Sequence, residues 1–150
     1  MKQDDTKREI IEKALELFSE RGYDAVSVGE IAAAVGIKAP SLYNHYKSKQ
    51  AIFDAIVEDT AARYERDTDN LDVHVQDVTK DFATFGHITV QALTEKVRGI
   101  FLYSLHDKNV SLFRKMMTIE QFRSPKLAAL YSARYVDRMV EYHANIFRNL

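Results

Sequence analysis

The sequence predicts an all-α protein, and three observations lead to that fold class. The 150 residues include only five glycines and two prolines, so helices are seldom interrupted. The sequence has no long alternation of apolar and polar residues, the pattern typical of half-buried strands. Apolar residues instead recur three and four positions apart, which favours amphipathic helices.

The composition narrows the class of protein further. With 46% hydrophobic and 29% charged residues, the chain is ordinary for a soluble globular protein. It has no cysteine, which excludes disulfides and thiolate metal sites and favours a cytoplasmic location. No segment approaches the roughly 20 apolar residues of a membrane span, and the charged amino end is unlike a signal peptide. A net charge of −1 excludes indiscriminate coating of nucleic acid but not a local DNA-reading face.

The first predicted helix covers residues 6–21. Thr6 and Glu9 form a capping-box pattern, in which each side chain satisfies a free amide at the helix start. The apolar residues that follow recur on one face, and charged residues cover the other. Gly22 is well placed to end this helix in the left-handed conformation.

Two short helices and a longer one are predicted next. Ser27 and Glu30 form a second capping box, and Gly36 ends the helix that they begin. Pro40 suits the first turn of a third helix, and Ser48 can cap a fourth that runs to about residue 66. The second and third helices are too short to bury themselves and need the first and fourth as a platform. This is the helix-turn-helix arrangement, whose second helix is offered to the DNA major groove.

Four pieces of residues 10–53 resemble the DNA-binding domain of the TetR family of bacterial repressors. They are Phe18…Gly22-Tyr23, Ser27-Val28-x-x-Ile31-Ala32, Val35-Gly36-Ile37 and Leu42-Tyr43-Asn44-His45-Tyr46-Lys47-Ser48-Lys49. The resemblance rests on the order and spacing of these four pieces. Beyond residue 53 only the chain length and the helical character still resemble the family. The resemblance implies a helix-turn-helix DNA-binding domain at residues 1–48, with the motif at about 28–47. A helical effector-binding and dimerisation body is expected at residues 49–150.

The resemblance implies DNA contacts for ten residues around the motif. Ser27 and Val28 begin the second helix, whose free N–H groups favour phosphate. Asn44 is the best candidate for direct base reading, because its amide can pair bidentately with adenine. Three of these residues also have a structural interpretation: Ser27 as a helix cap, Tyr43 as a brace for the first helix, and Asn44 as an exposed polar residue. The predicted DNA-binding set is Ser27, Val28, Lys38, Pro40, Ser41, Tyr43, Asn44, His45, Lys47 and Lys49.

The charge of this segment agrees with the assignment, while two residues depart from the family pattern. Residues 27–49 contain three lysines against one acid, Glu30, which places positive charge where the motif needs it. Gly29 and Ala39 stand where family members often carry longer polar or basic side chains. Direct base contacts are therefore expected to be few, with operator shape contributing more to recognition.

The body is predicted to hold helices at about 75–93, 94–106 and 109–122, and a last one after Ser124-Pro125. The acidic residues of segment 67–81 fit no metal-ligand spacing, so this segment is interpreted as a solvated linker and the polar edge of a helix. The resemblance implies a pocket here for a small, largely apolar effector. The alternative is that the same side chains fill the core. The predicted pocket residues are Phe82, Phe85, His87, Tyr103, His106, Phe113, Met116, Met117 and Phe122.

The function implied is that of an operator-binding repressor without a cofactor or metal. A homodimer would place its third helices in successive major grooves, about 34–36 Å apart. An effector would then lower the affinity for DNA by linkage. Contrasting hypotheses are an enzyme, for which the chain shows no phosphate loop or triad, and a helical interaction module without operator binding. Family members end in helices that form the four-helix bundle of the dimer. The chain is expected to lack that portion, which leaves an exposed apolar face within residues 131–147.

Overall fold

The computed structural model describes residues 3–74 and 77–149, and in these ranges the chain is built from helices, which confirms the all-α prediction. A π-helical segment, Ser132–Asp137, joins the last two of the described helices. None of the described helices is long and apolar enough to cross a membrane. The helices are α1 Gln3–Arg21, α2 Val28–Val35, α3 Ala39–His45, α4 Lys49–Asp69, α5 Thr79–Phe85, α6 Val90–His106, α7 Lys108–Glu120, α8 Pro125–Tyr131 and α9 Arg138–Asn149.

Helix α1 begins three residues earlier than predicted. Thr6 is buried inside the helix, so its interpretation as an amino-terminal cap was wrong. Asp4 and Asp5 lie in the first turn instead, where negative charge interacts favourably with the helix dipole. Gly22 has a φ of 81° and its N–H donates to the Phe18 carbonyl at 2.9 Å. The left-handed end predicted for this helix is thereby confirmed.

The predicted boundaries of the next helices are largely confirmed. Ser27 and Glu30 form the capping box of α2, and Gly36 ends this helix with a φ of 77°. Pro40 lies in the first turn of α3. The Ser48 hydroxyl accepts a hydrogen bond from the Ala51 N–H at 3.0 Å and so caps α4. Helix α4 continues to Asp69, slightly beyond the predicted end.

One large apolar cluster joins the first four helices to α7. Phe18 of α1, Leu42 of α3 and Phe53 of α4 are completely or almost completely buried in it. Met116 and Met117 of α7 belong to the same cluster. The cluster therefore crosses the predicted domain boundary after residue 48, because α7 packs against both α1 and α4.

The prediction of one helix over residues 75–93 was wrong. Helix α5 ends at Phe85, and α6 starts at Val90 with the Thr89 hydroxyl accepting the Ala92 N–H at 3.2 Å. The apolar spacing alone did not show this break, although Gly86 and the capping residue Thr89 lie at it. The first two residues of the predicted helix lie outside the described residues. The segments predicted at 94–106 and 109–122 correspond to most of α6 and to α7.

A small second cluster holds α5 against α9. It consists of Val73, Phe85, Tyr142 and Ile146. Beside it, the buried Asp81 carboxylate accepts hydrogen bonds from the His74 N–H at 2.9 Å, from the His74 ring and from the Tyr142 hydroxyl. The interpretation of segment 67–81 as a solvated linker was therefore wrong for Asp81. Its partner Tyr142 lies 61 residues away, beyond what spacing can reveal.

Candidate nucleic-acid interface and body cavity

Helix α3 is anchored by one face and exposes the other. Leu42 is fully buried in the main cluster, which fixes the orientation of this two-turn helix. Ser41, Tyr43 and Asn44 all lie on its exposed side, with Tyr43 45% exposed. Pro40 is exposed at the start of the helix. The structure therefore leaves exposed the side chains of α3 to which the family resemblance assigns base and phosphate contacts.

Two lysines flank this surface. Lys38 occupies the cap position before α3 and is exposed. Lys47 follows the helix, is exposed, and its ammonium donates to the Tyr43 carbonyl at 3.3 Å. Because both ammonium groups remain accessible to solvent, they are free to meet the phosphate backbone on either side of a helix that enters a groove.

The amino end of α2 carries a compact set of charge-assisted hydrogen bonds. The Glu30 carboxylate accepts from both the N–H and the hydroxyl of Ser27, each at 2.8 Å, and from Arg21 at 2.7 Å. The Ser27 hydrogen bonds, followed by the Arg21 contact, lower the pKa of Glu30 to about 2. Ser27 thus caps the helix as predicted. Its phosphate contact stays a prediction, since its hydroxyl is already engaged and Val28 is half-buried.

Lys49 has a structural role that the sequence did not reveal. Its ammonium donates to the Tyr23 carbonyl at 2.8 Å and to the Val26 carbonyl at 2.9 Å. It also lies 4.2 Å from the centroid of the Tyr23 ring, within cation–π range. The predicted phosphate contact of Lys49 remains a prediction, whereas its attachment to the loop between α1 and α2 is a property of the structure.

His45 is less accessible than its neighbours in the motif. The imidazole is half-buried, and its Nδ1 atom is buried with no hydrogen-bond partner among the described residues. A buried polar atom without a partner costs free energy. The predicted phosphate contact of this ring is not tested by the structure, and any such contact would have to use the other ring nitrogen.

A cavity of about 360 Å³ lies in the body, bounded by α4, α6, α7, α8 and α9. This volume is at the lower end of the range for small-molecule sites. Its lining is mainly apolar, and it includes the part-buried Arg114. The described lining residues are Thr60, Tyr64, Val97, Ile100, Phe101, Ser104, Val110, Phe113, Arg114, Tyr131, Met139 and His143.

Of the nine predicted pocket residues, the structure places Phe113 in the wall of this cavity. Met116 and Met117 lie in the main apolar cluster, whereas Phe82 and Phe85 lie in or against the second cluster. Core packing, the alternative left open by the sequence, thus describes these four. The Tyr103 hydroxyl donates to Asp67 at 2.7 Å, and the remaining predicted residues, His87, His106 and Phe122, are exposed.

Sequence reasoning missed most of the cavity wall, and Arg114 in particular. This arginine follows Phe113 and precedes two buried methionines in α7. The sequence shows two adjacent charged residues, Arg114 and Lys115, between apolar ones, and it does not show which of them faces the cavity. The other wall residues come from five helices, and their meeting depends on helix packing that no local pattern records.

Helix α7 connects this cavity to the helix-turn-helix. Phe113 and Arg114 line the cavity, and two turns later the Glu120 carboxylate accepts the Tyr23 N–H at 2.8 Å. Glu120 is 3% exposed, and a side chain added at Gly22 would meet its Oε1 atom at 3.2 Å. The end of α7 therefore lies directly against the loop that Lys49 also holds.

Comparison with known proteins identifies the amino-terminal region. Residues 10–56 match the family model of bacterial regulatory proteins, tetR family. The biofilm operon icaADBC HTH-type negative transcriptional regulator IcaR of Staphylococcus aureus strain Newman is 47% identical over 51 residues. These are 34% of this chain and 27% of that protein. IcaR of Staphylococcus epidermidis strain ATCC 35984 is 46% identical over 52 residues, or 35% of this chain and 28% of that one.

The fold similarity extends beyond the matched domain. A crystal structure of a TetR-family transcriptional regulator from Mesorhizobium loti superposes with a TM-score of 0.68 at 22% identity. The match covers 100% of this chain and 70% of that one. At this identity the similarity establishes the fold. The family match over residues 10–56 confirms the resemblance noted in the sequence: the amino-terminal region of the chain is similar to the tetR family of bacterial regulatory proteins.

Proposed function

We propose that the chain is a sequence-specific DNA-binding transcriptional regulator that acts in the cytoplasm as a homodimeric repressor. The observation that carries DNA binding is the surface of α3, where Ser41, Tyr43 and Asn44 are exposed between Lys38 and Lys47. Repression is carried over from the matched relatives, which are named as negative transcriptional regulators. Because the chain matches only 27% of the first of these, the activity of the whole protein is an inference.

In the proposed complex, each subunit inserts α3 into the major groove. Asn44 pairs with a base edge, and Lys38 and Lys47 contact the phosphates on either side. The dimer reads two half-sites about 34–36 Å apart, one helical turn of DNA. Lys49 acts mainly by holding the loop before α2, so that both short helices keep their relative position. The activity requires no catalytic step.

Release by a small molecule is the second part of the proposal. Helix α7 contributes Phe113 and Arg114 to the cavity and Glu120 to the loop after α1. A molecule in the cavity that favours a different position of α7 would therefore shift the loop at Tyr23. The distance between the two α3 helices of the dimer would change, and affinity for the operator would fall by linkage.

The proposal is tested by fluorescence anisotropy with DNA from the gene's own promoter region. We expect binding that weakens steeply as salt rises, because phosphate contacts release counterions. Lys47→Gln should weaken binding to all sequences about equally and reduce the salt slope by about one. Asn44→Ala should instead reduce the preference for the promoter over unrelated DNA.

A matched control is Lys115→Gln, since Lys115 is exposed on α7 far along the chain from the motif. It should leave both affinity and salt slope unchanged. Binding without salt dependence would contradict the proposed interface, as would an equal loss of affinity in the Lys47 and Lys115 variants. An unaltered sequence preference in Asn44→Ala would remove this residue from base reading.

A further inference from the structure

The cavity in the body contains a cation without a matching anion. The Arg114 guanidinium donates to the Ser104 carbonyl at 2.9 Å. No carboxylate of the described residues lies within 4.0 Å of it, although most other described arginines have such a partner. None of the described lining residues is acidic. A part-buried guanidinium beside apolar side chains, with donors left over, is a place where an anion is stabilised.

The rest of the wall specifies the other part of the ligand. Ile100, Phe101, Val110 and Phe113 present apolar surface to the cavity. Such a wall favours a hydrocarbon or aromatic group, because burying apolar surface is the main source of affinity in sites of this kind. Polar atoms other than those of Arg114 come from Thr60, Tyr64, Ser104, Tyr131 and His143, but most of the surface that lines the cavity is apolar.

We propose that this cavity binds an apolar organic anion, a carboxylate with a hydrocarbon tail. Arg114 holds the carboxylate through charge-assisted hydrogen bonds, and the tail lies against Phe101 and Phe113. A cationic ligand is disfavoured by the like charge of the guanidinium, and a neutral ligand leaves that charge without a counterion. That this ligand acts as an effector rests on the proposed function. Its binding to the cavity does not depend on that function.

The position of Arg114 gives the carboxylate a route to the DNA-binding domain. Arg114 and Glu120 lie on the same helix α7, six residues apart, and Glu120 accepts the Tyr23 N–H. A carboxylate that draws the Arg114 side chain away from the Ser104 carbonyl would change how α7 is attached to α6. The ligand class and the proposed release of DNA are thereby linked through one helix.

The test uses isothermal titration calorimetry of the full chain in the absence of DNA. The probes are octanoate, octanamide and octylamine, which share a tail and differ in head-group charge, and the same three head groups on C6 and C12 tails. We expect a carboxylate to bind at least about tenfold more tightly than its amide, because hydrogen bonds to charged groups are the stronger ones. The amine should bind more weakly than both.

Variants assign the effect to one residue. Arg114→Gln should reduce carboxylate affinity to that of the amide while amide binding is unchanged, and Arg114→Lys should retain part of the preference. Lys115→Gln, on the exposed side of the same helix, should behave as the unmodified protein. Circular dichroism shows whether each variant is folded, and the comparison of probes on the unmodified chain requires no variant.

Equal affinity for carboxylate and amide at all three tail lengths, or no binding of any probe, would overturn the proposal. An undiminished preference in Arg114→Gln would do so as well. A carboxylate that binds through Arg114 but leaves operator binding unchanged would support the anion site and contradict only the proposed release mechanism. The two failures are therefore distinguishable.

Discussion

From α1 to the first half of α4 the large apolar side chains meet in one buried cluster, whereas from α6 onward many of them are exposed. Phe18, Leu42 and Phe53 are at most 1% exposed, but Val90 is 82% and Phe147 is 72% exposed. Apart from Tyr43, the large apolar side chains described as exposed all lie at or after residue 90. Of these, Val136, Val140 and Phe147 lie within residues 131–147, where an exposed apolar face was expected, whereas Tyr142 and Ile146 of the same segment are buried.

The difference shows how stability is distributed along the chain. The amino-terminal helices are stabilised by buried apolar side chains and by helix caps, in which each capping residue bonds to a residue only a few positions away. The body relies more on single polar contacts between distant residues, such as Asp81 with Tyr142 and Asp67 with Tyr103. Regions with little buried apolar surface open at lower free energy. The body is therefore the part in which a bound molecule can most readily change the conformation.

The strongest test of this comparison is a pair of phenylalanine substitutions. Phe18 is fully buried, with its ring centroid 5.3 Å from that of Tyr23 and 6.3 Å from that of Phe53. Phe18→Ala should lower the free energy of unfolding by ~3–5 kcal/mol, through lost burial and the cavity that remains. Phe122 is 84% exposed, so Phe122→Ala should change it by less than ~0.5 kcal/mol. Urea unfolding followed by circular dichroism measures both, and similar losses would contradict the comparison.

A second pair tests the polar contacts of the body. Asp81→Asn replaces one acceptor oxygen of a buried carboxylate with a donor, which at the Oδ2 position faces the Tyr142 hydroxyl and the His74 N–H and at the Oδ1 position faces the His74 ring. We expect a loss of ~1–3 kcal/mol, the cost of a buried polar group without its partner. Asp69→Asn, in the same acidic stretch but exposed, should stay within ~0.5 kcal/mol. Equal effects in thermal or urea unfolding would show that Asp81 is not a structural centre of the body.

The accuracy of the predictions made from the sequence differs between the same two regions, the amino-terminal domain and the body. In the amino-terminal domain, Ser27, Gly36 and Ser48 each act on residues three or four positions away, and their roles were predicted correctly. Thr6 is the exception, since the same capping pattern lies inside a helix that begins earlier. The face of α3 was predictable because the burial of Leu42 determines which neighbours are exposed.

In the body, the decisive contacts lie far apart in the sequence. Apolar spacing continued through Gly86, so α5 and α6 were predicted as one helix although Thr89 caps the second. The cavity was placed on the right helix through Phe113, but its other walls come from four more helices. Lys49 shows the same limit within the motif, since its two carbonyl partners lie more than twenty residues earlier.

Smaller changes in the free energy of unfolding are expected from alanine substitutions at two glycines, which differ in backbone conformation but both have space for a side chain. A Cβ atom at Gly36 would have no neighbour within 4 Å among the described residues, and one at Gly29 would meet only the Ser27 Oγ at 3.8 Å. Gly36 has a φ of 77°, so Gly36→Ala should cost ~1–2 kcal/mol. Gly29 lies within α2, so Gly29→Ala should stabilise by up to ~1 kcal/mol. Shifts of the urea midpoint in the same direction would contradict this assignment.

The smallest expected effect concerns the pH dependence of the capping box. Hydrogen bonds from Ser27 and Arg21 lower the pKa of Glu30 from 4.5 to about 2 in the folded protein. A carboxyl group whose pKa is lowered on folding adds stability above its unfolded pKa, and this stability is lost as the pH falls towards the folded pKa.

Glu30→Gln keeps a capping side chain but removes the charge. The advantage of the unmodified protein over this variant should therefore be constant above pH 5 and shrink between pH 4.5 and 2. Urea midpoints of the two proteins across this range measure it, and the subtraction cancels the titration of the other carboxyl groups. A difference that does not change with pH would mean that the ionised carboxylate contributes nothing to the cap.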